Sequence, residues 1–509
     1  MKLHHILPAA IAAALSACSL DYEPQDTYSD ITEGVQDADV EVVFRTKADV
    51  ESYMQGMYKK ITDQQEHWYL DLLLIAESHS DNAYAGTTDA ETLPFENNSI
   101  EGSNKDIERD WNRYLGDVAV ANKLIANIDK VADGSLTQAE IESYRAQAQI
   151  FRSMIWFDMV RIWGDIPVIK TVAEDITADN IEDVYNAYFP EQSTELEAYQ
   201  AIEEDMLNAV KYAPDQTADK TRFSKNVART LLAKIYAEKP LRDYSKVVYY
   251  VDQIAADGFD LVDDFSHLFG IQGIPHYDEN AKAIPIETNT RESILEGQFP
   301  VGAGNWCTWM FGRDLSNWDN NFTWAKWITP SRDLIAAYEK AGDTKRLNES
   351  VAWYDCQWSI YYPSERYAFM YKCRSAFSSI IKFRFADVLL LKAEALIMGE
   401  NVDLAGAAAI IDRIRERAGL DKLPASVRGS KEALLEAYMN ERRLELAFEG
   451  QRWFDLVRLN KVEEVMNSLW SRDSGRRPQK LPFTEFSYRL PLPQPALDAN
   501  DNLVQNPGY

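Results

Sequence analysis

Glu441-Arg442-Arg443-Leu444-Glu445-Leu446-Ala447-Phe448-Glu449-Gly450-Gln451-Arg452-Trp453-Phe454-Asp455-Leu456-Val457-Arg458 is the most specific block in this chain. Phe448, Trp453, Phe454 and Leu456 are core material. Among them stand Arg442, Arg443, Arg452 and Asp455. Their expected role is to form ion pairs or cap helices, because the planar arginine fork suits bidentate pairing with carboxylates. The block therefore speaks of packing and not of a ligand surface.

Around it the pattern is helical. Leu389-Leu390-Leu391-Lys392-Ala393-Glu394-Ala395 leads to a second stretch with Ala407, Ile410, Ile411 and Ile414, closed by Ala418-Gly419-Leu420. Leu231-Leu232-Ala233-Lys234-Ile235-Tyr236-Ala237 leads likewise to Val247, Val251 and Ile254, closed by Asp257-Gly258-Phe259. Each unit is helix, loop, helix and glycine cap, of tetratricopeptide-repeat length. Such pairs cannot bury their apolar faces alone, so they are expected to stack into a curved solenoid. Further upstream, Trp111, Leu115, Val118, Asn122 and Ile125 keep a 3.6-residue period with one polar exception. Tyr144, Ala148, Phe151, Ile155, Met159 and Ile162 keep it throughout, and Gly164-Asp165-Ile166-Pro167 stops that helix.

Residues 259–382 differ in character, with Gly270, Gly273, Pro275, Pro285, Gly297, Pro300, Gly302 and Gly304. Ile294 to Phe299 alternates as a short strand does. A structureless loop of this length is improbable, so a folded insertion is expected.

The N-terminus carries a different signal. After Lys2, the apolar run Ile6–Leu15 is too short to span a bilayer and reads as a signal peptide. Leu15-Ser16-Ala17-Cys18 resembles a bacterial lipobox, with Cys18 as the lipidated residue. The expected organisation is a signal peptide over 1–17 and a lipidated N-terminus and tether over 18–45. A helical repeat region over 46–258, the insertion over 259–382 and a helical C-terminal region over 383–509 follow. Beyond Cys18, the three remaining cysteines allow at most one disulfide, and pairing of Cys356 with Cys373 stays open.

Four blocks in order resemble the SusD/RagB family: Arg145 to Ile169, Arg384 to Ala395, Glu441 to Arg458, and Leu490-Pro491-Leu492-Pro493-Gln494 through to Tyr509. The resemblance spans the chain from Cys18 onward. It implies a mainly α fold, with four tetratricopeptide-like repeats and a ligand surface built mainly from the non-repeat part. It further implies a nutrient-uptake lipoprotein of the outer membrane, facing the cell exterior. Acyl chains on Cys18 would hold it to the membrane lipid, and several chains anchor where one does not. The implied partner is a SusC-like, TonB-dependent transporter.

The charge balance, −28 from 81 acidic and 53 basic residues, argues against nucleic acid and favours neutral or cationic ligands. No His-Glu-x-x-His, Gly-x-Ser-x-Gly or P-loop motif occurs, so no enzyme activity and no cofactor are expected. A pair of carboxylates acting as a glycosidase is the remote alternative. Tryptophan points to the ligand. Seven of 13 lie between Asn305 and Trp358, set among asparagines and aspartates. Sugar rings lie flat on indoles, and their hydroxyls need amides and carboxylates. Trp306, Trp309, Trp318 and Trp324 are the expected glycan contacts. In SusD-like proteins the loop after the first helices joins the site, which adds Asp81, Asn82 and Tyr84 as implied contacts. A RagB-like peptide ligand is the alternative.

Overall fold

The computed structural model describes residues 44–86, 89–173, 181–269, 276–277, 283–284, 288–299, 304–312, 326–356, 360–374 and 378–509. Cys18, the signal peptide and most of the tether lie outside them, as do Trp318 and Trp324.

Helix α1, Lys47–Asp63, begins at a capping box in which Thr46 and Asp49 satisfy each other's backbone N–H groups. It buries Val50, Met54, Met57 and Ile61, spaced along one face. Helix α2, Lys105–Asn127, starts at the side-chain cap of Asn104 and buries Trp111, Val118 and Asn122. The polar exception is accounted for: Asn122 donates to the Ile169 carbonyl at 2.8 Å and accepts from Arg152 at 2.6 Å. Helix α3, Gln138–Trp163, is buried on every side from Ile150 onward, which makes it the axis of the N-terminal half. It ends at Gly164, whose φ of +80° is open to glycine and costly to a side chain.

Helix α4 is Glu195–Tyr212, α5 Lys225–Ile235 and α6 Tyr244–Ala256; after the insertion come α7, Phe385–Met398, and α8, Leu404–Arg417. Each packs on its neighbour in the order α2, α3, α4, α5, α6, α7, α8. The two helix pairs therefore stack directly, α6 on α7, although 128 residues (257–384) separate them in sequence. This is the expected α-solenoid.

The described residues between α6 and α7 include short strands and helices, and one further strand lies between α1 and α2. Strand β1 is Ala83–Tyr84, β2 His276–Tyr277, β3 Ala283–Ile284, β4 Ser293–Gly297, β5 Thr329–Pro330, β6 Val351–Tyr354, β7 Tyr367–Met370 and β8 Ile380–Arg384. All pair antiparallel in twos: β1 with β5, β2 with β3, β4 with β8, β6 with β7. The β4–β8 ladder joins the inserted segment just ahead of α7. It is covered on both faces at β4, so the alternation seen in the sequence does not mark an exposed side.

Buried ion pairs tie the insertion to the C-terminal helices. Arg384 bridges Glu292 (2.8 Å), Glu445 (2.6 Å) and Glu449 (2.6 Å). Arg417 meets Glu292 at 2.6 Å and also contacts Glu445. Arg346 meets Glu445 at 3.0 Å, Glu441 at 2.7 Å and Asp343 at 2.5 Å. Among the described residues no helix is long and apolar enough to cross a membrane.

Candidate functional site: an exposed tryptophan turn

Trp306–Met310 is a single helical turn held by side chains from distant segments. Asn305 caps it, accepting from the Cys307 N–H at 2.9 Å and donating to the Ser378 carbonyl at 2.8 Å. Gln65, just beyond α1, accepts from the Trp306 N–H and donates to the Gly304 carbonyl, both at 2.8 Å. At the other end the Met310 carbonyl accepts from the Trp327 N–H at 2.9 Å. Cys307 and Thr308 point inward and are buried. Trp306 and Trp309, three residues apart, share a side of the turn and are 37% and 39% exposed. Gly304 has a φ of +46°, and a Cβ there would stand 3.2 Å from the Trp309 ring. The Trp309 indole thus rests partly on bare backbone. Two large apolar rings are held on a fixed turn and remain accessible.

Gln65 carried no mark in the sequence. It lies 241 residues from the turn it clamps, and no local pattern connects them. Of the other tryptophans in the cluster, Trp327 and Trp353 are half-buried. Trp353 packs edge-on against Tyr362, with the Arg366 guanidinium 4.5 Å from its ring centre.

The loop after the first helices requires a correction. Asp81, Asn82 and Tyr84 are all buried, at 1%, 0% and 0% exposure. Asp81 takes a bidentate contact from Arg452 at 2.8 and 2.9 Å and a third from Arg443 at 3.2 Å. Burial alone would raise its carboxyl, but the two arginines outweigh that and hold it well below the usual range. Asn82 accepts from Arg443 at 2.9 Å and donates to Glu77 at 2.8 Å. Tyr84 stacks on Tyr361 with ring centres 4.3 Å apart and donates to Asp473 at 2.7 Å. Asp81 and Asn82 answer the arginines of 441–458, Tyr84 answers Asp473 and Arg332, and all three side chains are buried.

Glu77 completes the arrangement. It accepts from the Gly450 N–H at 3.0 Å and so fastens the turn after Leu446, where Phe448 adopts a φ of +63°. That conformation is strained for a bulky residue and persists because its surroundings fix it. Burial pushes the Glu77 carboxyl up to about 7.

Among the described residues, concavities also lie elsewhere. A cleft of about 310 Å³ is lined by Glu51, Gln55, Tyr58, Tyr144, Gln147 and Arg222, among others. Its central ring, Tyr58, is already stacked on Phe223 at 4.6 Å and lies 4.9 Å from the Arg222 guanidinium. Its hydroxyl donates to Gln147 at 2.9 Å and accepts from the Phe223 N–H at 3.0 Å. An interior cavity of about 60 Å³ borders Trp68, Asp158, Lys234, Lys372 and Lys382. The charges there are paired, Lys382 with Asp158 at 2.8 Å and Lys234 with Asp387 at 2.6 Å. Neither of these two has aromatic rings exposed as Trp306 and Trp309 are.

Comparison with known proteins agrees with the architecture. A family profile described as "SusD family" matches residues 318–509, and one described as "Starch-binding associating with outer membrane" matches 29–237. SusD-like protein P2 of Formosa agariphila is 26% identical over 502 residues, covering 92% of this chain and 94% of that protein. Surface glycan-binding protein A from Bacteroides fluxus superposes with a TM-score of 0.70 at 21% identity, covering 91% of this chain and all (100%) of that one. A laminarin binding SusD-like protein superposes with a TM-score of 0.67 at 21% identity, covering 92% and 100%. The four blocks quoted from the sequence, the stacked helix pairs and these matches converge: the chain is a member of the SusD-like family.

Proposed function

We propose that this chain is a surface lipoprotein that binds a neutral glycan and hands it to a SusC-like, TonB-dependent transporter, without catalysing a reaction. The observation that carries the reading is the pair of exposed indoles, Trp306 and Trp309, on a turn fixed from several sides. Exposed apolar surface set in a polar rim marks binding sites. A preorganised ring does not spend binding energy on ordering. Two structural neighbours of the same fold are named for binding glycan and laminarin, which supports a sugar over other neutral ligands. Trp318 and Trp324, expected contacts from the sequence, lie outside the described residues.

The test is calorimetric titration against a panel of oligosaccharides. Trp306→Ala and Trp309→Ala are each expected to weaken binding about tenfold or more, as central aromatic contacts do. Their melting temperatures should stay close to that of the parent, because neither ring is buried. Full affinity in a stably folded double variant would remove this turn from the ligand surface.

Anchoring is the second part of the proposal. Cys18→Ala is expected to release the protein from the outer membrane, since the lipid on Cys18 is the proposed anchor. Fractionation that still finds the variant in the outer membrane would overturn it.

A further inference from the structure

The Trp306 turn meets the end of strand β7 through two cysteines. Cys307 lies between the two exposed tryptophans in sequence but points inward, fully buried. The Cys373 thiol, three residues beyond β7 and also buried, is close enough to act electrostatically on it. The backbone of Gly312 touches both cysteines. Gly312, whose N–H bonds the Cys307 carbonyl, leaves so little room that a Cβ there would stand 2.6 Å from the Cys373 carbonyl oxygen.

The third cysteine is out of reach. Strands β6 and β7 pair Val351 with Met370 at one end and Tyr354 with Tyr367 at the other. Cys356 follows the Tyr354 end, and Cys373 follows the Met370 end. Three residue steps of strand, about 10 Å, separate those ends, and both cysteines lie beyond them. A disulfide needs Cα atoms within about 7 Å. The pairing of Cys356 with Cys373 that the sequence left open is therefore excluded by register.

We propose that Cys307 and Cys373 are a redox pair that closes to a disulfide under oxidising conditions, fastening the tryptophan turn to the β6–β7 hairpin. The step is thiol–disulfide exchange. A sulfur–sulfur bond forms as the two thiols give up two protons and two electrons. These reduce the disulfide of the oxidant, oxidised glutathione or an oxidised dithiol protein, to two thiols. Burial first, and then the contact with Cys373, holds the Cys307 thiol well above its ordinary pKa. The folded pair is accordingly slow to attack, and closure belongs to folding, while both sulfurs are still open to the oxidant. Secretion compartments supply such an oxidant, so closure in the cell rests on the proposed export.

The full chain, denatured and refolded with oxidised glutathione, is digested without reduction after alkylation and read by mass spectrometry. A linked peptide pair joining Cys307 to Cys373, with Cys356 alkylated, is the expected result. Dithiothreitol should then lower the melting temperature by several degrees, and neither Cys307→Ser nor Cys373→Ser should show that response. Linkage through Cys356, a cross-link that survives in Cys307→Ser, or alkylation of all three thiols would overturn the pairing. The same digest on protein exported with its own leader tests export separately. Glycan affinity is a third, independent readout.

Discussion

Asp81→Ala is expected to destabilise the protein severely while leaving the ligand surface of any folded fraction intact. The substitution strips the carboxylate from Arg443 and Arg452, both buried. Asp333 still meets Arg443 at 2.9 Å, so that arginine keeps one partner; Arg452 loses its bidentate one. Breaking a buried pair from one side costs about 3–5 kcal/mol, because the surviving charge stays desolvated. Thermal melting should show a drop of several degrees or a loss of soluble protein. Titration of whatever folds should give the parent affinity for glycan. A variant that melts normally but no longer binds would return residues 77–86 to the ligand surface and make the Trp306 turn secondary.

That outcome bears on what a sequence can disclose. The helices at 105–127 and 138–163 were legible because periodic apolar residues and a Gly–Pro stop are local signals. The two helix pairs were legible as a repeat because Leu-Leu-x-Lys recurs at Leu231 and Leu389 in matching contexts. The ion-pair role of Arg442, Arg443 and Arg452 followed from arginine set among large apolar residues, and the structure supplies their carboxylates: Asp387 and Asp455, Asp333 and Asp81, and Asp81.

The identity of those partners was not legible. Asp81 lies 371 residues from Arg452, and a polar cluster reads the same whether it meets water or buried guanidinium. Its hydrogen-bonding capacity is legible in the sequence, and its destination is not. The tryptophan turn shows the complementary limit. Spacing by three places Trp306 and Trp309 on one side only once a helical turn forms. Their exposure depends on Gln65, Asn305 and the inward Cys307. The same composition buries Trp68 and Trp163 completely in other settings.

The largest loss of stability is expected for Glu445→Ala. Glu445 is wholly buried and receives Arg346, Arg384 and Arg417 together. Glu292, Glu441, Glu449 and Asp343 share those cations, and Lys372 adds a further positive charge at Glu449 and at the Glu445 carbonyl. Removing the one carboxylate common to all three arginines leaves each of these buried guanidiniums one partner short at the joint between the insertion and α7. The cost should reach or exceed the 3–5 kcal/mol of a single broken pair, so little folded protein is expected. Glu445→Gln keeps the volume and is the variant to measure. The pH dependence separates charge from packing. Burial alone would raise the Glu445 carboxyl, but Arg417, Arg384 and Arg346 outweigh it and hold it well below the usual carboxylate range. A group depressed in the folded state contributes its stability above its unfolded pKa, about 4.3, and loses it as pH falls toward the folded value. Asp81 and Asp387 are depressed in the same sense. The parent's melting temperature should therefore fall steeply below about pH 4.5. Glu445→Gln should start lower and fall less steeply, because one of the depressed carboxyls is gone. Parallel curves for the two proteins would mean that Glu445 contributes through packing and hydrogen bonding and not through its charge.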